Sequence, residues 1–305
     1  MIVAGGSSFF LYFSYTELGG IIPAACLGIF YGNPSPAGFT GQNRVLLGGS
    51  SAGDRPLFIF KYWDFFAGLV WFRAPEQHYW AHAFLPLGIS FFTFEFIHYA
   101  TDRYKSKTES GNVGEYLAFI LFLPTMVAGP IKRCQQFLPK LRTEPSQWPN
   151  DWHRGVTRIL AGLAKKFAIA DALTAYTNHL NHADLAVANR AMLLVWLLAY
   201  GIKIYTDFSA YSDIAIGSAR LFGIPIPENF DWPYLQTNIT MFWRHWHISL
   251  TSWLTDYVFI PLGGSRVKPS RVYGNILMTM LVSEIWHRAG INFVLWGLWH
   301  GVLPS

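Results

Sequence analysis

The stretch AMLLVWLLAYGIKIYTDF, Ala191–Phe208, holds only one lysine and one aspartate among its eighteen residues. A membrane-spanning helix needs roughly 20 mostly apolar residues, at about 1.5 Å of rise each, to cross a hydrocarbon layer about 30 Å thick. Similar runs recur on both sides of it: Ile2–Tyr15 with Ile21–Tyr31, Leu57–Phe72, Phe84–Ala100, Val113–Ile131, Gly155–Leu173, Ile239–Leu262 and Ile276–Leu303. Several are short or interrupted by Gly and Pro. Such interruptions are tolerated at membrane depth where protein or a water-filled cavity satisfies the freed backbone groups. The expected fold is all-α, a polytopic transmembrane helical bundle with broken or re-entrant helices and essentially no sheet. Val113–Ile131 or Ile239–Leu262 is expected to bend or re-enter.

Composition points the same way. Charged residues make up 13% of the 305 and hydrophobic residues 52%. A soluble domain usually carries about a quarter charged residues, so this chain has too little charge to cover a water-facing surface. Aromatics, 17% with 13 Trp and 25 Phe, suit spans flanked by interfacial belts. The net charge of +5 would suggest nucleic acid in a soluble protein. Here the basic residues collect mainly in loops between apolar runs, and no Lys/Arg run is interleaved with aromatics. Membrane lipids are the expected partner and nucleic acid is not. Cys26 and Cys134 lie in different segments without metal-ligand spacing, so neither a zinc site nor a disulfide framework is expected.

Loops are expected at Gly32–Pro56, Thr101–Asn112, Lys132–Arg154, Ile224–Thr237 and Gly263–Tyr273. Arg103, Lys105 and Lys107 occupy one of them. Lys132, Arg133, Lys140, Arg142, Arg154, Arg158, Lys165 and Lys166 form a second basic stretch, and Arg266, Lys268 and Arg271 a third. The first two are separated by one apolar segment, Val113–Ile131. Both can be cytoplasmic only if that segment re-enters, which Pro124, Gly129 and Pro130 favour. The first Lys or Arg is Arg44, so the basic start of a signal peptide is lacking, and the chain stops abruptly after Trp299-His300-Gly301. It reads as one domain, residues 1–305, and as part of a longer membrane protein.

Polar groups inside apolar runs cost free energy in lipid and so invite a functional reading. Three clusters qualify. In Tyr205–Asp213, a helix would set Asp207 beside Tyr211 and Ser209 beside Asp213; the carboxylates either handle substrate or join two helices. In Phe242–Leu250, a continuous helix would point His245 and His247 about 200° apart, which argues against a metal pair, and would place His247 on an apolar face with Trp243, Leu250 and Leu254. In the third, His287 and His300 lie thirteen positions apart, roughly 20 Å along one helix, so both reach one reacting atom only if the chain breaks near Gly290. By residue type His287 is either a general base near neutral pH or a structural histidine. No Gly-rich loop ending in Gly-Lys-Ser/Thr, no Gly-x-Ser-x-Gly elbow and no His-Glu-x-x-His is found, so nucleotide hydrolysis, serine-hydrolase chemistry and zinc proteolysis lack support.

These clusters resemble the membrane-bound O-acyltransferase family, in particular its bacterial alginate O-acetylase branch and the related teichoic-acid D-alanyl transferases. The resemblance rests on Pro86–Phe94, Val127–Ile131, Tyr205–Gly217, Pro227–Phe230, Phe242–Leu250, Tyr257–Gly264 and Trp286-His287, in family order from about Lys61 to Gly301. Each stretch is weak alone, and together they are highly specific. The family's near-invariant histidine falls on His287, and a second functional histidine, in its Arg-Trp-His stretch, on His247. Arg288 stands where the family usually has Gly, Glu284 where a small residue is common, and His245 where Arg is common. Family members also usually have more helices at both ends.

The resemblance implies a single membrane-embedded domain around a central funnel, in the inner cell membrane. It implies acyl transfer, acetyl first, from a thioester donor to a hydroxyl of an exported polysaccharide or a partner protein. The donor, acetyl-CoA-like or acyl-carrier-protein-like, is a substrate on the cytoplasmic side; no bound cofactor or metal is expected, and an extracytoplasmic acyltransferase partner is compatible. His287 is expected to take the hydroxyl proton and return a proton to the leaving thiolate. His247 is expected to stabilise the oxyanion or orient the acceptor in a polar cavity shared with His287, with His300 elsewhere. Asp207, Asp213, Arg244 and Trp246 are candidates for substrate contact or structural support. The rival readings are a transporter or channel with a proton path through the same polar spans, and a non-catalytic scaffold in which Arg288 marks lost activity.

Overall fold

A computed structural model describes residues 88–303, apart from 106, 109–110, 144–147, 179–183, 185–186 and 289. The runs Ile2–Tyr15, Ile21–Tyr31 and Leu57–Phe72, the loop Gly32–Pro56 and Cys26 lie outside the described residues. The elements in chain order are α1 (Ile89–Tyr104), α2 (Val113–Ile120), α3 (Leu123–Met126), α4 (Cys134–Arg142), α5 (Trp148–Ala164), α6 (Asp171–Asn178), α7 (Arg190–Leu221), α8 (Ile239–His245), α9 (Ile248–Leu254), α10 (Pro269–His287) and α11 (Ile291–Val302). Wider π-helical turns, Lys165–Ala170 and Thr255–Phe259, continue α5 and α9. No strand occurs among the described residues, which are helical as expected; one antiparallel bridge pairs Phe230 with Trp246.

The apolar stretch Ala191–Phe208 lies inside α7. This helix starts where the Asn189 side chain accepts the Met192 N–H at 2.9 Å. It has 32 residues, or about 48 Å at 1.5 Å per residue. Among the described residues it is the one helix long and apolar enough to cross a membrane. Its two halves differ: Leu194, Val195, Leu197 and Leu198 are exposed, whereas Ser209, Ala210, Ser212, Ala215, Ile216 and Ala219 are buried. Hydropathy alone ends this segment at Phe208. The helix continues to Leu221 because the polar side chains after Tyr205 find partners on neighbouring elements.

The α5–α7 contact explains the burial. A Cβ added at Gly162 would stand 2.8 Å from the Ala210 carbonyl oxygen, and one at Gly217 would stand 2.6 Å from that of Gly155. Small residues here let the two backbones approach closely, as between helices in lipid.

The chain divides into two compact units. Among the described residues one comprises 88–121 with Ile276–Val302, the other 122–275 with Leu303. In the first, Tyr99 of α1 packs on Tyr116 of α2 at 4.6 Å, and Trp286 of α10 packs on Phe94 of α1 at 4.7 Å. Helices α10 and α11 meet where Gly301 faces Leu277.

Both segments expected to bend do so: Val113–Ile131 splits into α2, α3 and an irregular tail, and Ile239–Leu262 splits at Trp246-His247. The expected loop Lys132–Arg154 is a correction, since it contains α4 and the start of α5. Helix α4 buries Cys134, Phe137 and Leu138 and exposes Lys140 and Arg142, a one-sided pattern that a search for continuous apolar runs passes over. Lys132 is also not a loop charge in water. It is buried, with its ammonium 5.9 Å from the centres of the Phe122 and Phe137 rings.

Candidate active site

The segment after α7, expected as a loop, runs back along that helix. Asn229 Nδ2 donates to Ser212 Oγ at 3.2 Å. Phe230 packs edge-on against Phe208 at 5.0 Å and Tyr205 at 5.6 Å. The Tyr234 hydroxyl donates to the Gly201 carbonyl at 3.0 Å. The chain then turns and returns as α8. Phe242 lies 6.0 Å from Tyr234 and Trp246 lies 5.1 Å from Phe230. Asp231 N–H donates to the His245 carbonyl at 3.1 Å, and Ile248 N–H to that of Asn229 at 2.9 Å. The outgoing and returning irregular backbone is thus joined by hydrogen bonds at Asp231–His245 and Asn229–Ile248.

His247 stands at the break between α8 and α9, 3% exposed, with φ 44° and ψ 53°. A non-glycine residue held in this left-handed region costs about 1–3 kcal/mol, and such residues cluster at functional sites. Its ring meets Phe208 edge-on at 4.8 Å. This corrects the continuous-helix reading of Phe242–Leu250, with its shared face of His247, Trp243, Leu250 and Leu254. Tertiary hydrogen bonds from Asn229 capture the N–H groups of Ile248 and Ser249, and no local Gly or Pro announces the break. His245 ends α8, its Nδ1 donating to the Met241 carbonyl at 2.7 Å. Trp246 lies in the aromatic cluster, also 6.2 Å from Tyr205. Arg244 is exposed on α8.

Asp207 and Asp213 both face cations outside α7. Asp207 accepts from Lys166 Nζ at 2.8 Å, and Lys166 also pairs with Asp171 at 2.8 Å. Asp213 accepts from Arg158 Nε at 2.7 Å and pairs with Lys165 Nζ. Arg158 is shared with Glu228, its Nη1 donating at 2.8 Å. The aspartates therefore tie α7 to α5 and to the π-helical turn. In a regular helix Lys165 and Lys166 would point about 100° apart; along the wider turn both reach α7. Three members of the second basic stretch, Arg158, Lys165 and Lys166, are thus ion-pair partners inside this unit. Their position within the apolar run Gly155–Leu173 was the available signal.

His287 belongs to the other unit, as the last residue of α10. Its Nδ1 donates to the Ser283 carbonyl at 2.8 Å. In the neutral ring this puts the proton on Nδ1 and the lone pair on Nε2. Trp286 packs against the ring at 4.8 Å. The Glu284 carboxylate, buried, has Oε2 3.8 Å from His287 Nδ1. Gly297 of α11 lets that helix approach the α10 backbone: an added Cβ would sit 3.1 Å from Leu281 Cα and 3.2 Å from the Met280 carbonyl oxygen. Arg288 is exposed. The chain does break after His287, with α11 starting at Ile291, so His287 and His300 lie on different helices.

Asn229 and Ser249 are buried site residues that the sequence placed within motifs but not in roles. With Ser212 and Ile131 they join four of the stretches that carry the resemblance: Val127–Ile131, Tyr205–Gly217, Pro227–Phe230 and Phe242–Leu250.

The comparisons with known proteins agree. Residues 54–303 match the membrane-bound O-acyltransferase family, and the chain belongs to that family. It is 40% identical over 224 residues to the probable alginate O-acetylase of Pseudomonas aeruginosa, covering 72% of this chain and 42% of that protein. It is 35% identical over 285 residues to the peptidoglycan O-acetyltransferase of Helicobacter pylori, covering 82% of this chain and 52% of that protein. It is 30% identical over 278 residues to the teichoic acid D-alanyltransferase of Bacillus subtilis, covering 86% and 67%. The chain spans less than half the length of the alginate O-acetylases it matches.

Proposed function

We propose that this chain is the acyl-transferring part of a multi-pass inner-membrane O-acyltransferase, with residues 1–305 forming a single membrane-embedded domain of a polytopic bundle around a central funnel. It moves an acyl group, acetyl first, from a thioester donor at the cytoplasmic side to a hydroxyl of an exported polysaccharide or a partner protein. An extracytoplasmic acyltransferase partner completes the transfer where the acceptor lies outside the cell. The relatives named for acetylation of alginate and peptidoglycan support the acetyl group and the polymer acceptor.

The observation that carries the mechanism is the His287 Nδ1–H bond to the Ser283 carbonyl. It orients the ring and selects the tautomer whose Nε2 accepts a proton. As the acceptor oxygen attacks the thioester carbonyl, Nε2 takes the hydroxyl proton; the C–S bond then breaks and the proton passes to the leaving thiolate. The carbonyl end of α10 stabilises the transient imidazolium by about 0.3–1 kcal/mol. His247 presents an N–H to the oxyanion or orients the acceptor. Trp246 and the aspartates support His247 through the aromatic cluster and the α5–α7 ion pairs, and Arg244 is left for substrate contact.

The test is thioester-dependent transfer in proteoliposomes carrying the full-length protein, with His287→Ala as control. Transfer by wild type that falls about 10²–10⁴-fold in the variant supports the reading. Ion or solute flux without transfer would favour the transporter, and no transfer with intact binding of an acyl carrier would favour the scaffold.

A further inference from the structure

Helix α9 begins without the usual device. The first N–H groups of a helix lack intrahelical partners, and a Ser, Thr, Asp or Asn side chain at the preceding residue normally accepts from one of them. At α9 that residue is His247, whose side chain makes no capping hydrogen bond. The task passes to Asn229, on the segment that runs back along α7. Its main-chain carbonyl accepts the Ile248 N–H at 2.9 Å. Its Oδ1 accepts the Ser249 N–H at 3.4 Å and the Ser249 hydroxyl at 2.6 Å. Its Nδ2 holds Ser212 of α7, and Ser249 Oγ in turn accepts the Ile131 N–H at 3.0 Å. Asn229 is fully buried, and its neighbour Glu228 is gripped by Arg158 of α5.

The consequence falls on His247. A helix capped from outside does not need the imidazole at its start, and the ring is turned to Phe208 instead. The left-handed backbone at His247 persists only if the surrounding structure over-determines it, and the Asn229 bonds to the next two residues do so. We propose that Asn229 is a positioning residue: by capping α9 in place of His247, it holds that histidine in its left-handed conformation with the imidazole against Phe208. The placement stands on this geometry; only its effect on turnover rests on the proposed role of His247.

The experiment uses full-length protein in nanodiscs, labelled with ¹³C at histidine Cε1. The His247 signal is identified by its loss in His247→Gln. In Asn229→Ala that signal should move or broaden, because the ring leaves its perpendicular contact with Phe208, while the other histidine signals stay. Transfer kcat should fall about 100-fold, the scale on which a misplacement of about 1 Å acts, with little change in KM for the thioester donor. Asn229→Asp keeps an acceptor oxygen for Ser249 and should recover part of both effects. If Asn229→Ala does not fold, Ser249→Ala removes one anchor of the same cap and should displace the His247 signal in the same direction. An unchanged His247 signal in a folded variant overturns the proposal whatever the turnover. A displaced signal with unchanged turnover upholds the placement and removes His247 from the reaction.

Discussion

Both candidate histidines stand where a helix stops, yet they are held by opposite means. His287 is fixed by its own helix: its proton goes to the Ser283 carbonyl four residues back, and Trp286 and Glu284 of the same turn flank the ring. His247 is fixed by residues distant in sequence. Its backbone is turned left-handed, the following N–H groups are taken by Asn229, and its ring lies on Phe208. Local anchoring survives as long as α10 is helical. Tertiary anchoring requires that α7, the returning segment and α9 all stay docked. The difference predicts where each histidine is vulnerable.

The largest effect on the scaffold around His247 is expected from Gly162→Leu. The added side chain has no space against the Ala210 carbonyl, so α5 must move off α7. The loss should be about 3 kcal/mol or more, the upper range for overpacking, read as a fall in the thermal unfolding midpoint in detergent. An unchanged midpoint would mean that α5 and α7 are not closely packed.

Asp213→Ala should cost less. It leaves Arg158 and Lys165 without the carboxylate they share. Removing one partner of a buried pair costs about 3–5 kcal/mol, but the Arg158 side chain is 36% exposed and keeps Glu228, so about 1–2 kcal/mol is expected. Asp213→Ala paired with Arg158→Ala in a double-mutant cycle measures the coupling directly. Additive losses would show that the ion pair does not join the helices.

Arg288→Gly should be the mildest. Arg288 is exposed, follows the end of α10 and lies next to His287. Replacing it with the residue usual in the family should leave stability unchanged and turnover equal or higher. A clear drop in turnover with intact folding would make Arg288 a substrate-binding group.

The same contrast explains what could be read from the sequence. The helical class and the break in Val113–Ile131 were legible because they depend on neighbours in the chain: apolar runs, and Pro124, Gly129 and Pro130. The break at His247 was not, because Trp246-His247 contains no helix breaker and its cause is Asn229, in another segment. The partners of Asp207 and Asp213 were hidden for a related reason. Arg158, Lys165 and Lys166 lie in a basic stretch whose charge also suits a membrane surface, and only the packing of α5 on α7 turns them inward. Amphipathic α4 escaped because one-sided burial leaves no continuous apolar run.

The proposed role of His287 is to accept a proton, not merely to fill space. The most direct measurement is acyl transfer per mole of correctly inserted full-length protein for wild type, His287→Gln and His287→Ala. Glutamine keeps much of the size and can still donate to the Ser283 carbonyl, but it cannot take a proton at neutral pH. Turnover in the glutamine variant should therefore fall as far as in alanine, by about 10²–10⁴-fold, with insertion unchanged. Near-normal turnover in His287→Gln would contradict the general-base role and leave His287 a structural residue at the end of α10.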